Sequence, residues 1–429
     1  MNYIPVAESE KENGGTITGT LYTVLVVLFP LLSMYRFFGT MLSIGDVCAL
    51  AVILLLLVRK TGNFSVNFIF LLVASFLILQ ATFVFPFTSG FNTGFLDHYG
   101  SVLRLLLVYF LLSMGKQFFR YDFGAKCLVW VSVISTLYLM IQLLLSRFGI
   151  YLGGGIPYLP AFREDLSSYI ADVLKYHYAY RPRSLFEEPA HFCQYVIVAI
   201  ALLLFDQTQI KFKKLTILFL MAGVLVSMSL LGWAGLAILL MIWVFLSYKS
   251  RKNLKPLFIA IFLIPVLVFI VWKTGSVQAV FLRKFQQQQV LNDSRFEGFS
   301  ELIMFLKSKS VLILFGEGMI DQGTYYNGVV RLIYSFGLIG VLFAIALFLY
   351  GWIQNRKNPL SVALLLLVAV LSFGSEIIFG KYVLIYLIFV VCGGITDEKM
   401  WIDHHSQCNQ SRSGSAGIGN SNCSDQVES

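Results

Sequence analysis

Twelve apolar stretches, each roughly long enough to cross a lipid bilayer, constrain this chain more than any other feature. A helix needs about 20 predominantly apolar residues to traverse a hydrocarbon layer ~30 Å thick. Such stretches fall near residues 20–38, 41–58, 64–86, 99–118, 124–147, 189–206, 213–230, 232–248, 256–272, 329–352, 360–378 and 381–395. Composition agrees: 58% of the residues are hydrophobic and only 13% charged, where a soluble protein carries about 25% charged residues. A chain with so little charge has no water-compatible surface to wrap around itself. The expected fold class is therefore all-α, a polytopic integral membrane protein with about twelve transmembrane helices. The closely spaced pairs, seventh with eighth and eleventh with twelfth, fit re-entrant hairpins as well as full crossings.

Orientation follows from where Lys and Arg sit in the short connections. One alternating set holds Arg59, Lys60, Lys116, Arg120, Lys126, Lys211, Lys213, Lys214, Lys249, Arg251, Lys252, Lys255, Arg356 and Lys357; the opposite set holds Arg36 and Lys381. Both termini are expected in the cytoplasm. The net charge of +9 then reads largely as a topology signal, and nucleic acid is not an expected partner. Three regions follow: a cytoplasmic N-terminus over 1–19, a transmembrane domain over 20–396, and a polar tail over 397–429 whose Ser, Asn, Gln and Gly content predicts disorder. Within the domain, two long connections, about 148–188 and 273–328, fall on the outer side. The N-terminus lacks the basic region of a cleavable signal peptide. Six cysteines show neither a disulfide framework nor zinc spacing.

Ionisable residues beside membrane spans are costly and are candidates for function. Here they share one depth, at the outer ends of the spans: Arg36, Asp46, Arg104, Arg331, Glu376 and Lys381. Each can also be a side chain reaching for the headgroups. Together they outline a polar cavity open to the outer face rather than a transporter site at the midplane.

The first long loop closes with Arg181-Pro182-Arg183-Ser184-Leu185-Phe186-Glu187-Glu188-Pro189. Proline suits the first turn of a helix, so the sixth span begins at Pro189 with these charges at its mouth. Arg181 and Arg183 beside free helix N–H groups make a candidate phosphate site. Glu187 and Glu188 either neutralise those arginines or supply a base for a hydroxyl. Tyr180, with Tyr176 and Tyr178, is suited to stacking on a sugar ring and equally to an interfacial aromatic belt.

In the second loop, Ser294 and Glu297 have capping-box spacing, and Phe296, Phe299, Ile303 and Leu306 recur on one helical face. This predicts an amphipathic helix along the outer surface. Arg295 at its start opposes the macrodipole and calls for an anion, either Asp293 or Glu297 or a bound diphosphate. Downstream come Gly316-Glu317-Gly318, Tyr326-Asn327 and Gly337-Leu338-Ile339-Gly340, the last pair of glycines suited to close helix packing.

The Arg181-x-x-Ser184-x-Phe186-x-Glu188-Pro189 pattern resembles the motif that precedes a membrane helix in bacterial O-antigen and capsule repeat-unit polymerases of the Wzy type. The order of the second half, from the Ser294-Arg295 helix through Gly316-x-Gly318 and Asn327 to Gly337-x-x-Gly340, is similar to the half those polymerases share with O-antigen ligases. Ala190 departs from the serine often found after the proline. Tyr326 stands where ligases usually have histidine, which favours a polymerase. The resemblance implies transfer of a growing glycan from undecaprenyl diphosphate onto a lipid-linked repeat unit, at the outer face of the inner membrane. It implies Arg181 and Arg295 as catalytic cations with Glu188 as base, or as the group orienting Arg181. Arg183, Arg104, Arg331, Glu187 and Tyr180 are the expected substrate contacts. No cofactor or metal is expected. The lipid bilayer, the lipid-linked oligosaccharides, and the flippase and chain-length regulator of the same pathway are the expected partners. A surface-glycan ligase and a lipid-linked oligosaccharide flippase stay open as alternatives.

Overall fold

The computed structural model describes residues 13–38, 42–58, 68–84, 94–156, 159, 180–205, 208, 210–251, 294–307, 311–319 and 326–393. The side chains of 13–16, 83–84, 94–97, 247–251 and 294–297 are outside that description. Among the described residues the chain is helical, with a single isolated bridge between Arg36 and Ser43 and no strand. The ninth expected span, 256–272, the polar tail, and Tyr176 and Tyr178 lie outside the described residues.

In chain order the helices are α1 (Asn13–Leu32), α2 (Ile44–Val58), α3 (Phe68–Leu79, extended by a π turn Gln80–Val84), α4 (Gly94–Phe118), α5 (Tyr121–Ser146) and α6 (Pro189–Leu204). They continue with α7 (Lys213–Val226), α8 (Leu230–Arg251), α9 (Ser294–Lys307), α10 (Leu312–Phe315), α11 (Gly328–Asn355), α12 (Pro359–Leu371) and the apolar helix α13 (Val383–Gly393). Three of the described helices are long and apolar enough to cross a membrane: His98–Phe118, Tyr121–Ser146 and Gly328–Asn355. Seven shorter apolar helices accompany them. Their outward faces carry exposed large apolar side chains, among them Leu54, Phe68, Leu103, Trp130, Leu144, Leu342 and Ile353. Contiguous apolar surface of this kind is what lipid covers, and it marks an all-helical membrane protein.

Two of the short helices, α6 and α12, are largely buried. In α6 every side chain from Phe192 to Leu203 is buried, the pattern of a helix wrapped by protein on all sides. It packs against α5, α7, α8 and α12. The Tyr195 hydroxyl donates to the Val27 carbonyl of α1 (2.9 Å), and Tyr386 of α13 donates to the Gln194 carbonyl (2.7 Å). At 16 residues, α6 is only ~24 Å long, short of the hydrocarbon thickness. The α7–α8 connection is correspondingly deep: Ser227 and Ser229 are buried, and the Cys193 Sγ lies 3.1 Å from the Ser227 Oγ. The seventh and eighth stretches thus form a tight hairpin whose tip rests on the start of α6.

Three helix starts are fixed by side-chain caps. Asn327 accepts from Val330 N–H at the start of α11 (2.9 Å), and Asn358 accepts from Leu360 and Ser361 N–H ahead of α12, with Pro359 at the first position. Ser43 and Asp46 cap α2 reciprocally, Ser43 N–H to Asp46 Oδ2 (3.1 Å) and Asp46 N–H to Ser43 Oγ (2.9 Å). This is the capping-box exchange, so Asp46 has a structural duty at that depth.

Helix α11 is broken rather than continuous. Gly337 has φ 63° and ψ −166°, a conformation reserved for glycine. The break frees the carbonyls of Tyr334 and Ser335, and the Gly316-Glu317-Gly318 turn fills it. Glu317 N–H donates to Tyr334 O (2.8 Å) and Gly318 N–H to Ser335 O (3.1 Å), while Gln80 Nε2 donates to Ser335 O (2.9 Å). A buried carbonyl left without a donor is expensive, so turn and break specify each other. Gly337 therefore serves as the breakpoint instead of the helix-packing residue its spacing suggests. Alanine at Gly337 would set its Cβ against the Leu314 carbonyl. Gly337→Ala is expected to cost ~2 kcal/mol or more. Gly351→Ala, in regular helix with the nearest atom 3.7 Å away, should be neutral or stabilise by up to ~1 kcal/mol. Denaturant unfolding of the two purified variants in micelles checks the contrast.

Candidate functional site

The site is built around a loop that enters the bundle. Ser184 has φ 57°, an uncommon conformation for a residue with a Cβ, and it is tied down on every polar group. Its N–H donates to Gln142 Oε1 (2.7 Å), and its hydroxyl donates to the Ser135 carbonyl (2.6 Å). Its own carbonyl accepts from Gly155 N–H (3.0 Å) and Gln142 Nε2 (3.4 Å). Ser135 lies eleven residues before the end of α5 at Ser146, about 16 Å along the axis. The Arg181–Pro189 segment therefore descends beside α5 instead of lying over it. Gly154 lets it do so, since a Cβ there would strike the Phe186 carbonyl and the Arg183 side chain. Phe186 is fully buried against Phe192, Tyr195 and Tyr382, with ring centroids 5.3–6.3 Å apart.

Below this anchor the charges gather. Glu187 spans two partners: its Oε1 is 3.5 Å from Lys381 Nζ and its Oε2 is 3.6 Å from His191 Nδ1. The His191 ring stacks on Tyr382, centroids 4.9 Å apart and planes 25° apart. Glu188 occupies the position before α6 without capping it, and both glutamates lie within electrostatic reach of Tyr382. Lys381 in turn feels Arg104 and Asp46, and Arg104 pairs with Asp46 at 3.4 Å. Arg181 is part-buried, and its charge reaches the Cys193 thiol. The turn from Ser372 to Tyr382 gathers these groups together. Its Ser375 and Ser372 carbonyls accept from Gly328 and Val329 N–H (2.9 and 3.2 Å), its Glu376 pairs with Arg331, and its Lys381 meets Glu187.

The sequence-level candidates divide accordingly. Glu187 meets Lys381 and His191 at the start of α6, Arg183 lies against Gly154, Arg181 is within electrostatic reach of Cys193, and Glu188 precedes Pro189. Arg104 and Arg331 are each matched by a carboxylate, Asp46 and Glu376. That pairing assigns them first to holding helices together, and only by exchange to an anion. Tyr180 is not a stacking platform: it is buried, its hydroxyl donates to the Leu152 carbonyl (2.6 Å), and its ring rests 5.4 Å from Tyr151. Arg295 lies on the first turn of α9, and its side chain, with the capping pair Ser294 and Glu297, lies outside the described residues.

A second polar group lies under α9. The Tyr326 hydroxyl donates to Glu301, and Tyr334 donates to Glu317 Oε2 (2.6 Å), with the two tyrosine rings stacked 5.2 Å apart. Burial first, then the Glu301 hydrogen bond, holds the Tyr326 phenol well above its ordinary range. Tyr326 is thus a neutral hydrogen-bond donor.

Three contributors carry little signal of their own in the sequence. Gln142 is a single amide in an apolar span, and its isolation there is the available clue. His191 follows the proline of the motif without belonging to its pattern. Lys381 shows its depth but not its partner.

No family model, curated protein or solved structure matches the chain, so its own geometry carries the functional reading. Gln142→Leu would leave the buried Ser184 N–H without its acceptor, at a cost of ~1–3 kcal/mol. The variant should remain membrane-inserted but be cleaved faster between 181 and 188 by added protease after solubilisation, while Gln117→Leu, at the far end of α4, should leave the cleavage rate unchanged.

Proposed function

We propose that the chain is a membrane glycosyltransferase that polymerises undecaprenyl-diphosphate-linked oligosaccharide repeat units into surface polysaccharide, O-antigen or capsule. On this reading it has about twelve transmembrane helices, both termini in the cytoplasm, and its site at the outer face of the bacterial inner membrane. The observation that carries the reading is the docking of the Arg181–Pro189 segment. It brings Glu187 to Lys381 and His191 at the start of a buried helix, with Arg181, Arg183 and Glu188 on the same segment, and on this reading an amphipathic lipid-linked substrate presents its diphosphate there from the bilayer.

The reaction has two requirements. The departing diphosphate needs cationic donors aimed at the charge that develops on it, and the acceptor hydroxyl needs a base. Arg181 and Arg183 answer the first, with Arg295 of the second long loop as a further candidate and Arg104 and Arg331 joining if they exchange their carboxylate partners. The carboxylates beside Pro189, Glu188 among them, answer the second. Chemistry of this kind requires no metal. Apolar helix faces accommodate the polyprenyl chains, and the flippase and chain-length regulator of the pathway are the expected neighbours.

Deleting the gene and sizing the surface and lipid-linked glycans tests the assignment. Collapse of the ladder to a single repeat is expected. Long lipid-linked polymer that never reaches its acceptor would instead indicate a ligase. Single units stranded on the inner leaflet would indicate a flippase, and an unchanged profile would remove glycan assembly altogether. In a complemented strain, Arg181→Ala is expected to reduce polymer formation by about a hundredfold, the typical effect of losing one donor to a developing anion, at unchanged protein level.

A further inference from the structure

Passing a glycan from one lipid diphosphate to a repeat unit carried on another puts two diphosphates on the protein at once, and Arg181 and Arg183 provide for one. A second pair of cations stands on other elements, Arg104 on α4 and Lys381 in the turn before α13, within electrostatic reach of each other. Two like charges in one neighbourhood repel, and an anion beside both relieves them. Both also carry more donors than they use, since an ammonium has three N–H donors and a guanidinium five. Among the described residues, Lys381 meets one carboxylate oxygen, Glu187 Oε1 at 3.5 Å, and the Tyr382 ring with its centroid 5.9 Å away. Arg104 likewise meets one, Asp46 Oδ2 at 3.4 Å. Each carboxylate is shared: Asp46 Oδ2 also accepts from Ser43 N–H, and the second oxygen of Glu187 faces His191. In the Arg104–Asp46 pair the cation is the accessible end, its side chain 52% exposed against 5%. Leu103 beside Arg104, and Leu50 one turn after Asp46 on α2, are exposed apolar side chains. Charged head and apolar tail of a polyprenyl diphosphate thus find matching chemistry on the same two helices.

We infer that Arg104 and Lys381 form a second lipid-diphosphate site, which holds one of the two substrates while Arg181 and Arg183 hold the other; the assignment rests on the polymerase reading. Arg104 reaches the anion by leaving Asp46, and the exchange is cheap because Asp46 stays in place through its reciprocal cap with Ser43. Lys381 keeps Glu187 and turns its remaining donors to the phosphate oxygens. Charge-assisted bonds of this kind are the strong ones, and the planar guanidinium adds a two-point grip that the ammonium lacks. The Lys381–Glu187 contact also ties this site to the 181–189 segment, so the two diphosphates bind on elements that are joined to each other. Arg331, hydrogen-bonded to Glu376 and with a side chain 20% exposed, has neither the spare reach nor the second cation that this pair has.

Native mass spectrometry of the purified full-length protein, with undecaprenyl diphosphate as the probe, counts the lipids bound. Wild type is expected to bind two. The double variant Arg104→Gln with Lys381→Gln should bind one, as should Arg181→Ala with Arg183→Ala, and Lys381→Arg should keep two. Excess phosphatidylglycerol should displace neither lipid. Arg104→Gln alone, a change at a half-exposed side chain, should weaken the second binding step about tenfold or more, the loss of one charge-assisted contact; it carries the test if the double variant does not fold. One lipid on wild type, two on the double variant, none on a folded double variant, or an unchanged second step in Arg104→Gln would each overturn the site. Displacement by phosphatidylglycerol would overturn it too, by making it a site for ordinary anionic lipid. Protein that binds two diphosphates yet joins no repeat units would overturn the polymerase reading and leave the anion site standing, whereas protein that polymerises while binding one would overturn the site alone.

Discussion

A stretch of irregular backbone buried among membrane helices must have its polar groups answered from within the protein, and Gln142 does this for Ser184 in the 181–189 segment. Its amide gives and takes at once, accepting from the Ser184 N–H while donating to the Gly153 and Ser184 carbonyls. That exchange, with the Ser135 carbonyl and the Gly155 N–H, holds the left-handed Ser184 in place. Because it persists, the segment enters the bundle beside Ser135 of α5, and the charges that precede Pro189 are carried in with it.

The same rule operates a second time on the other half of the chain. The broken α11 exposes two carbonyls, and the Gly316–Gly318 turn and Gln80 answer them. The Ser372–Tyr382 turn joins the halves, taking the α11 start on one side and Glu187 on the other. Two docked irregular segments joined by one turn leave the centre of the bundle well packed while charged groups gather at one end of it. Such an arrangement suits a substrate with an apolar tail and a charged head.

The regular helices were legible because apolar length and caps are local properties. Stretches near 99–118, 124–147, 189–206 and 329–352 correspond to α4, α5, α6 and α11, and Ser294 opens α9 where the amphipathic period begins. The length of each helix was not legible, because the stretches near 189–206 and 360–378 are apolar throughout while the helices themselves, α6 and α12, have 16 and 13 residues. Pairing escaped the sequence as well. Arg104 meets Asp46 and Arg331 meets Glu376 across dozens of residues, so charges that look available one by one are matched in space. Tyr180 reads as a sugar platform in an aromatic run and becomes a loop anchor once Leu152 is beside it. Gly337 reads as a packing glycine until its backbone turns left-handed.

The central claim is that this recess alone, with no other protein, transfers a glycan from one lipid diphosphate to another. The most direct measurement reconstitutes the purified chain in vesicles with lipid-linked single repeat units and follows both products together. One undecaprenyl diphosphate released for each new glycosidic linkage, with glycans growing in whole repeats, is the predicted result. Folded, correctly inserted protein that leaves single repeats unchanged and releases no undecaprenyl diphosphate would contradict it.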